Sequence, residues 1–165
     1  MLSRTADSLY WLARYMERAD ATSRLLMLGR RFSMMPDGVS ANDWQSVLKV
    51  TGAPLPPGGG VALDEAQVVD ILLLNPDVAS SVRSALGRAR ANGRAARTAL
   101  SIEMWEALND GWRRFDRMTV ERAMQDLPGL TDWVRGFVAR FRGAVSTSML
   151  RNEGHDFLQF GAAFE

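Results

Sequence analysis

The stretch Leu2–Phe32 constrains this chain more than any other. It reads as one amphipathic helix whose apolar surface is broad enough to need more than one packing neighbour. Projected at roughly 100° per residue, Leu9, Leu12, Ala13, Met16, Ser23 and Met27 share a face. Asp20 falls near the middle of that face, with Glu17 and Arg24 at one edge and Tyr10 and Arg14 further round. Trp11, Tyr15 and Leu26 widen the apolar surface on the other side. A carboxylate inside an apolar stripe needs a partner, since an unpaired buried charge costs several kcal/mol. Ser3 or Thr5 supplies a side-chain oxygen to cap the helix start.

The rest of the chain punctuates itself with helix starts and breakers. Met34-Met35-Pro36-Asp37-Gly38 ends the first helix. A short helix follows from Ser40 or Asn42 through Trp44, Val47 and Leu48 to Gly52. The loop 52–62 carries Pro54-Leu55-Pro56-Pro57-Gly58-Gly59-Gly60, which lacks the Lys-Ser/Thr ending and preceding strand of a phosphate loop. Asp64 caps a third helix through Leu74. A fourth runs from Asp77 to Asn109, with Val78, Val82, Ala85, Ala89, Ala96, Leu100 and Ala107 on one face. Asn92 and Glu103 share that face, and Arg83, Arg90, Arg94 and Arg97 form a stripe beside it. Asp110-Gly111 loosens this helix, another starts at Thr119 and ends near Leu127-Pro128-Gly129, and the last spans Thr131 to Glu165. No segment alternates like a strand. The expectation is an all-α antiparallel bundle with three long helices and several short ones, forming one domain over residues 1–165.

Composition narrows the chemistry. The 20 basic and 19 acidic residues nearly cancel, giving no global pull toward nucleic acid or anionic membrane. Nineteen of the basic residues are Arg and only Lys49 is Lys. Arg stays charged when buried and pairs carboxylates bidentately, although a high-GC genome also favours its codons. The absence of Cys removes disulfides and thiolate metal sites. No run approaches the roughly 18–20 apolar residues of a membrane span, and Arg4, Asp7 and Arg14 interrupt any signal-like segment. The expected location is the cytoplasm.

Three stretches carry a family resemblance. The first is Met1-Leu2-Ser3-Arg4-Thr5-Ala6-Asp7-Ser8-Leu9-Tyr10-Trp11-Leu12-Ala13-Arg14-Tyr15-Met16-Glu17-Arg18-Ala19-Asp20. The second joins Ala89-Arg90-Ala91-Asn92-Gly93-Arg94-Ala95-Ala96-Arg97 to Ile102-Glu103-Met104-Trp105-Glu106-Ala107-Leu108-Asn109. The third is Met149-Leu150-Arg151-Asn152-Glu153-Gly154-His155-Asp156-Phe157-Leu158. Together they resemble the alpha-E family of bacterial all-helical proteins. The resemblance implies genes beside circularly permuted ATP-grasp ligases and transglutaminase-like proteins, and so a place in making or modifying a peptide or amide-linked product. It brings no established reaction and no cofactor. It also implies a protein about twice as long, of which this chain is the N-terminal half. Phe157–Glu165 aligned on Leu9–Glu17 superposes Glu165 on Glu17 and departs from the pattern at Ala162, opposite Arg14.

The candidate site gathers Arg14, Glu17, Asp20, Arg24, Asn92, Arg94, Arg97, Glu103 and Glu106 between the first and fourth helices. The residues favour a structural network of Arg–carboxylate pairs over a ligand site for an anion or amide, and both over a carboxylate-bridged metal. Di-metal bundles use Glu-x-x-His pairs, whereas Glu153 lies only two residues before His155, the one His. No Gly-x-Ser-x-Gly elbow is present. The Arg stripe is expected to pair with Glu17, Glu103 or Glu106 rather than bind RNA. The aromatic residues Trp11, Tyr15, Trp44, Trp105, Trp112 and Trp133 are expected in the core. The leading functional expectation is a non-catalytic helical partner or product-binding protein of an ATP-grasp system. The alternatives are a helical enzyme using the carboxylate/Arg site, then an RNA- or phosphate-binding module. An ATP-grasp ligase or transglutaminase-like protein is the expected partner, and a homodimer through a pseudo-symmetric helical face is a further expectation.

Overall fold

The structure is a computed structural model that describes residues 3–34, 41–55 and 63–165, without the side chains of residues 41–43. Helix α1 (Ser3–Ser33) has 31 residues, which makes it roughly 46 Å long. Its apolar spacing buries Leu9, Leu12, Met16, Ala19 and Leu26 completely or nearly so. Two of its buried hydroxyls are satisfied: Ser23 donates to the Ala19 carbonyl at 2.8 Å, and Thr22 to the Ser80 carbonyl at 3.0 Å. Helix α2 (Ala41–Val50) lays Trp44 against α1 at Gly29. Of the expected caps of α2, Ser40 lies outside the described residues, as does most of the Pro/Gly loop, whereas Asn42 falls within the helix.

Helix α3 (Glu65–Val69) begins in a reciprocal cap. Asp64 accepts from the Gln67 amide at 2.8 Å, and the Gln67 side chain accepts from the Asp64 amide at 3.1 Å. It widens into a π-helical turn over Asp70–Leu74, closed by the Asn75 amide on the Asp70 carbonyl at 2.8 Å. Helix α4 (Val82–Ala95), α5 (Ile102–Asp116), α6 (Val120–Gln125), α7 (Leu127–Ser148) and α8 (Glu153–Ala163) complete the described chain. The fold is all-α, and no strand occurs among the described residues.

Several boundaries differ from expectation. The fourth helix is not continuous from Asp77 to Asn109; it starts at Val82 behind Ser81 and breaks after Ala95. Ser101 then accepts from the Met104 amide at 3.1 Å and starts α5 in a new direction. Gly111 does not loosen α5, because it lies buried beneath Phe137. Helix α6 starts behind Thr119 and ends at Gln125 as expected, but Leu127-Pro128-Gly129 opens α7, which begins ahead of the expected Thr131. Asp126 accepts from the Gly129 amide at 2.9 Å, and proline is tolerated in a first turn that has no N–H partner to lose. The last helix also divides: Asn152 accepts from the Gly154 and His155 amides at 2.9 and 3.3 Å and starts α8. Of the three long helices expected, α1 and α7 are long, and the segment between them is broken into shorter ones.

Helix α1 is the axle of the bundle, packed chiefly against α4 and α8 and then α7, while α5 joins α4 to α7. One contiguous apolar core links all of these, with Phe115, Phe137, Leu12, Met16, Leu86 and Met104 at its centre. Of the six aromatics expected inside, Trp44 is fully buried, and Trp11, Tyr15, Trp105, Trp112 and Trp133 are half-buried at its margins. Among the described residues, no helix is long and apolar enough to cross a membrane.

Candidate functional site

Asp20 is the one ionisable residue buried among the described residues, and the structure shows what holds it. Its side chain is 8% exposed and faces α7, not α4. Arg142 of α7 donates to Glu17 Oε1 through Nε at 2.7 Å and to Glu17 Oε2 through Nη2, a two-pronged pair. The same Nη2 reaches Asp20 Oδ2 at 3.3 Å. Arg24 meets Asp20 Oδ2 at 3.1 Å from one turn along α1, and Arg135 approaches Asp20 Oδ1 at 3.8 Å. Arg135 and Arg142 are seven residues apart, two helical turns, so α7 presents both to α1 from one side. Hydrogen bonding to Glu17 raises the pKa of the Arg142 guanidinium against the opposing effect of burial, with Asp20 adding to the rise. Arg142 therefore stays charged at any working pH.

A second cluster lies one turn away. Arg14 Nε and Arg18 Nε both donate to the Glu165 carboxylate, at 3.0 and 2.5 Å. Aromatic faces support both guanidiniums. Arg14 sits 5.1 Å from the Trp11 ring centre and 5.7 Å from Tyr10, and Arg18 sits 5.4 Å from Tyr15. The adjacent residues Glu17 and Arg18 thus tie α1 to two different elements, the carboxylate to α7 and the guanidinium to the end of α8.

Between these clusters α1, α7 and α8 enclose a cleft of about 420 Å³. Met16, Phe141, Val145 and Leu158 line it with apolar surface, and Glu17, Arg142 and Gln159 supply its polar groups. This size and mixture suit a small organic ligand.

The nine residues expected to form one site are divided. Arg14, Glu17, Asp20 and Arg24 lie together on α1, although Arg14 turns to Glu165. Glu103 and Glu106 are exposed on α5, because the break after Ala95 turns that helix away. Asn92 donates to the Arg88 carbonyl at 2.9 Å, and Arg94 is exposed. The Arg stripe does not pair with Glu17, Glu103 or Glu106. Arg83 donates to the Met118 carbonyl at 2.6 Å, Arg90 to Asn109 Oδ1 at 2.8 Å and Arg97 to the Leu100 carbonyl at 3.2 Å. Arg97 also lies over Trp105. Sequence reasoning missed Arg135, Arg142 and Arg18; the seven-residue spacing of the first two was the available signal. His155, in the first turn of α8, has Nδ1 3.8 Å from Asp156 Oδ1. Among the described residues no three His, Asp or Glu side chains gather as metal ligands.

Replacing Arg142 by Met keeps the aliphatic stem and leaves Glu17 without its two-pronged partner. Arg142 is itself half exposed, so the loss falls between that of a surface pair, ~0–1 kcal/mol, and that of a buried one, ~3–5 kcal/mol. We expect a melting temperature lower by a few degrees for Arg142→Met, less for Arg142→Lys, and no change for exposed Arg140→Met. Equal thermal shifts at Arg140 and Arg142 would remove the network from the stability argument.

No curated protein and no solved structure matches the chain. A family model matches residues 1–165 and is described as a predicted alpha-helical domain with a conserved ER motif. Two Glu-Arg dipeptides occur in the sequence. Glu121-Arg122 is exposed at the start of α6, with Glu121 hydrogen-bonded to Thr119 and held below the usual carboxylate range by that contact. Glu17-Arg18 joins three helices. With an all-helical architecture, an interhelical Glu-Arg dipeptide and a match over its whole length, the chain belongs to the Alpha-E family.

Proposed function

We propose that this chain is a non-catalytic helical partner in an ATP-grasp-associated system, where it binds a peptide or amide-linked product. The cleft between α1, α7 and α8 carries this reading. Its walls are apolar, and its polar groups are an amide, a carboxylate and a guanidinium, from Gln159, Glu17 and Arg142. An amide group needs one acceptor for its N–H and one donor for its carbonyl, and this trio offers both. The carboxylates at the site are closed by Arg in ion pairs, which suits recognition better than proton transfer. The reading places the protein in the cytoplasm, where a ligase finds its ATP. The resemblance of the sequence to proteins encoded beside ATP-grasp ligases supplies the system.

The test uses the product of an ATP-grasp protein encoded beside this gene. Calorimetric titration of that product should show saturable binding. Ala162→Trp, which fills the cleft from a half-exposed lining position, should weaken it tenfold or more. Absence of binding to the native chain, or equal affinity for the native and filled proteins, would sink the proposal.

A further inference from the structure

Helix α8 places apolar residues at the same spacing as the start of α1, although only Glu165 is identical to its counterpart, yet it shows solvent the face that α1 hides. Aligning Phe157–Glu165 on Leu9–Glu17 matches Phe157, Phe160 and Phe164 with Leu9, Leu12 and Met16. The α1 residues are 0%, 0% and 1% exposed, whereas their α8 counterparts are 39%, 57% and 64% exposed. The two helices run parallel: Gly154 lies at Leu9, Gly161 at Tyr10 and Ala13, and Glu165 at Arg14 and Arg18. In the same alignment Gly161 is the equivalent of Ala13, so at this crossing equivalent positions lie side by side. The outer side of α8 is therefore a helix-packing face, with Phe residues at the 3-4 spacing of a helix–helix seam.

We infer that this face pairs with the same face of a second copy of the chain, with the two α8 helices antiparallel. The surface offers both a groove and a side chain that projects beside it. Phe157 and Phe160 form one wall of a groove of about 650 Å³ whose other side is Ser3, Ala6, Asp7 and Tyr10 of α1. Phe164 stacks on Phe160 with ring centres 6.1 Å apart and projects beyond the groove. Antiparallel pairing sets Phe164 of each copy into the groove of the other, the reciprocal contact of a closed two-fold dimer. Charge selects the same direction. The Phe157 end carries Asp7, Glu153 and Asp156 against Arg4 and Arg151, while the Phe164 end carries Arg14 and Arg18 against Glu165. Antiparallel pairing joins the acidic end to the basic one; parallel pairing would oppose like with like. Three phenyl rings cover less than the roughly 800 Å² per partner of a standard interface. The groove walls must be covered too, and the pair is weak and dependent on concentration.

Light scattering or sedimentation from micromolar to near-millimolar protein should show the mass rise toward double. Phe160→Asp with Phe164→Asp, both at exposed positions, should hold the mass at that of one chain at every concentration while circular dichroism keeps its helical signal. The chain has no native Cys, so Phe160→Cys, close to the proposed axis, should give a disulfide-linked dimer on mild oxidation much faster than Ser146→Cys, exposed on α7. A native chain that stays single at all concentrations overturns the proposal. So does a dimer that survives the double Asp change, or equal crosslinking at the two Cys positions.

Discussion

Replacing Gly161 by Ala is expected to lower the melting temperature and loosen α8, whereas the same change at Gly143 raises it. In a helix interior Ala is favoured over Gly by roughly 0.5–1 kcal/mol. At Gly143 of α7 an added Cβ meets nothing within 4 Å, so that gain is realised. At Gly161 the new carbon would stand 2.1 Å from the Tyr10 carbonyl oxygen and 3.0 Å from the Ala13 Cβ. The obstacle is the backbone of α1, the most heavily packed helix, and it cannot rotate away as a side chain could. Helix α8 must move outward instead. Overpacking of this kind costs about 1–3 kcal/mol, which outweighs the propensity gain. The damage should be local. Helix α8 has 11 residues, and an isolated helix shorter than ~12–15 residues is marginal. Hydrogen exchange should therefore accelerate in α8 while α7 keeps its protection. Equal thermal shifts for Gly161→Ala and Gly143→Ala would show that the close approach of α8 to α1 is misplaced. Loss of α8 also opens the cleft and withdraws Glu165 from Arg14 and Arg18, so product binding should fall with it.

How much of this was legible in the sequence varies with the range of the interaction. The first helix was legible because apolar residues recur at helical spacing on both sides of Asp20, and a 3.6-residue repeat needs no knowledge of the partner. The division of the fourth and last helices was less so, because no proline or glycine run marks either break. Their signals were caps: Ser101 ahead of Glu103, and Asn152 ahead of Glu153 and Asp156, each placing acid in a first helical turn. Periodicity alone carries across such points. Pro128 misled in the opposite sense, since a proline is a breaker in a helix interior and harmless in its first turn.

The site shows the same limit. Asp20 and Glu17 stood out because a charge on an apolar face demands a partner, and that demand is local chemistry. Which Arg answers it is tertiary. Arg142 lies 125 residues from Glu17 and 122 from Asp20, and Glu103 joins them only if α4 and α5 form one straight helix. Once Ser101 turns α5 aside, α7 is the helix along that edge of α1. The Glu165 clasp follows similar logic: the alignment of Glu165 on Glu17 was visible, but not that Glu165 would return to Arg14 and Arg18 on the helix it resembles.

The largest stability effect is expected at the contact of α5 with α7. Phe137 is 1% exposed, stacked on Trp133 at 5.7 Å, and its ring covers Gly111. Phe137→Ala should cost about 3–5 kcal/mol through lost burial and the cavity left behind. For a chain of this size that lowers the melting temperature by on the order of ten degrees. Gly111→Ala attacks the same contact from the other side. Its Cβ would lie 2.2, 2.3 and 2.5 Å from Cε2, Cζ and Cδ2 of the ring, and Trp133 restrains the ring from retreating. That substitution should cost ~1–3 kcal/mol in the native background. In the Phe137→Ala background its sign should reverse. There the added methyl enters vacated space and the helix propensity of Ala is gained without opposition. Thermal melts of the four proteins give the coupling directly. Additive losses would mean that Gly111 and Phe137 do not share one volume, and the packing of α5 on α7 described here would have to be abandoned.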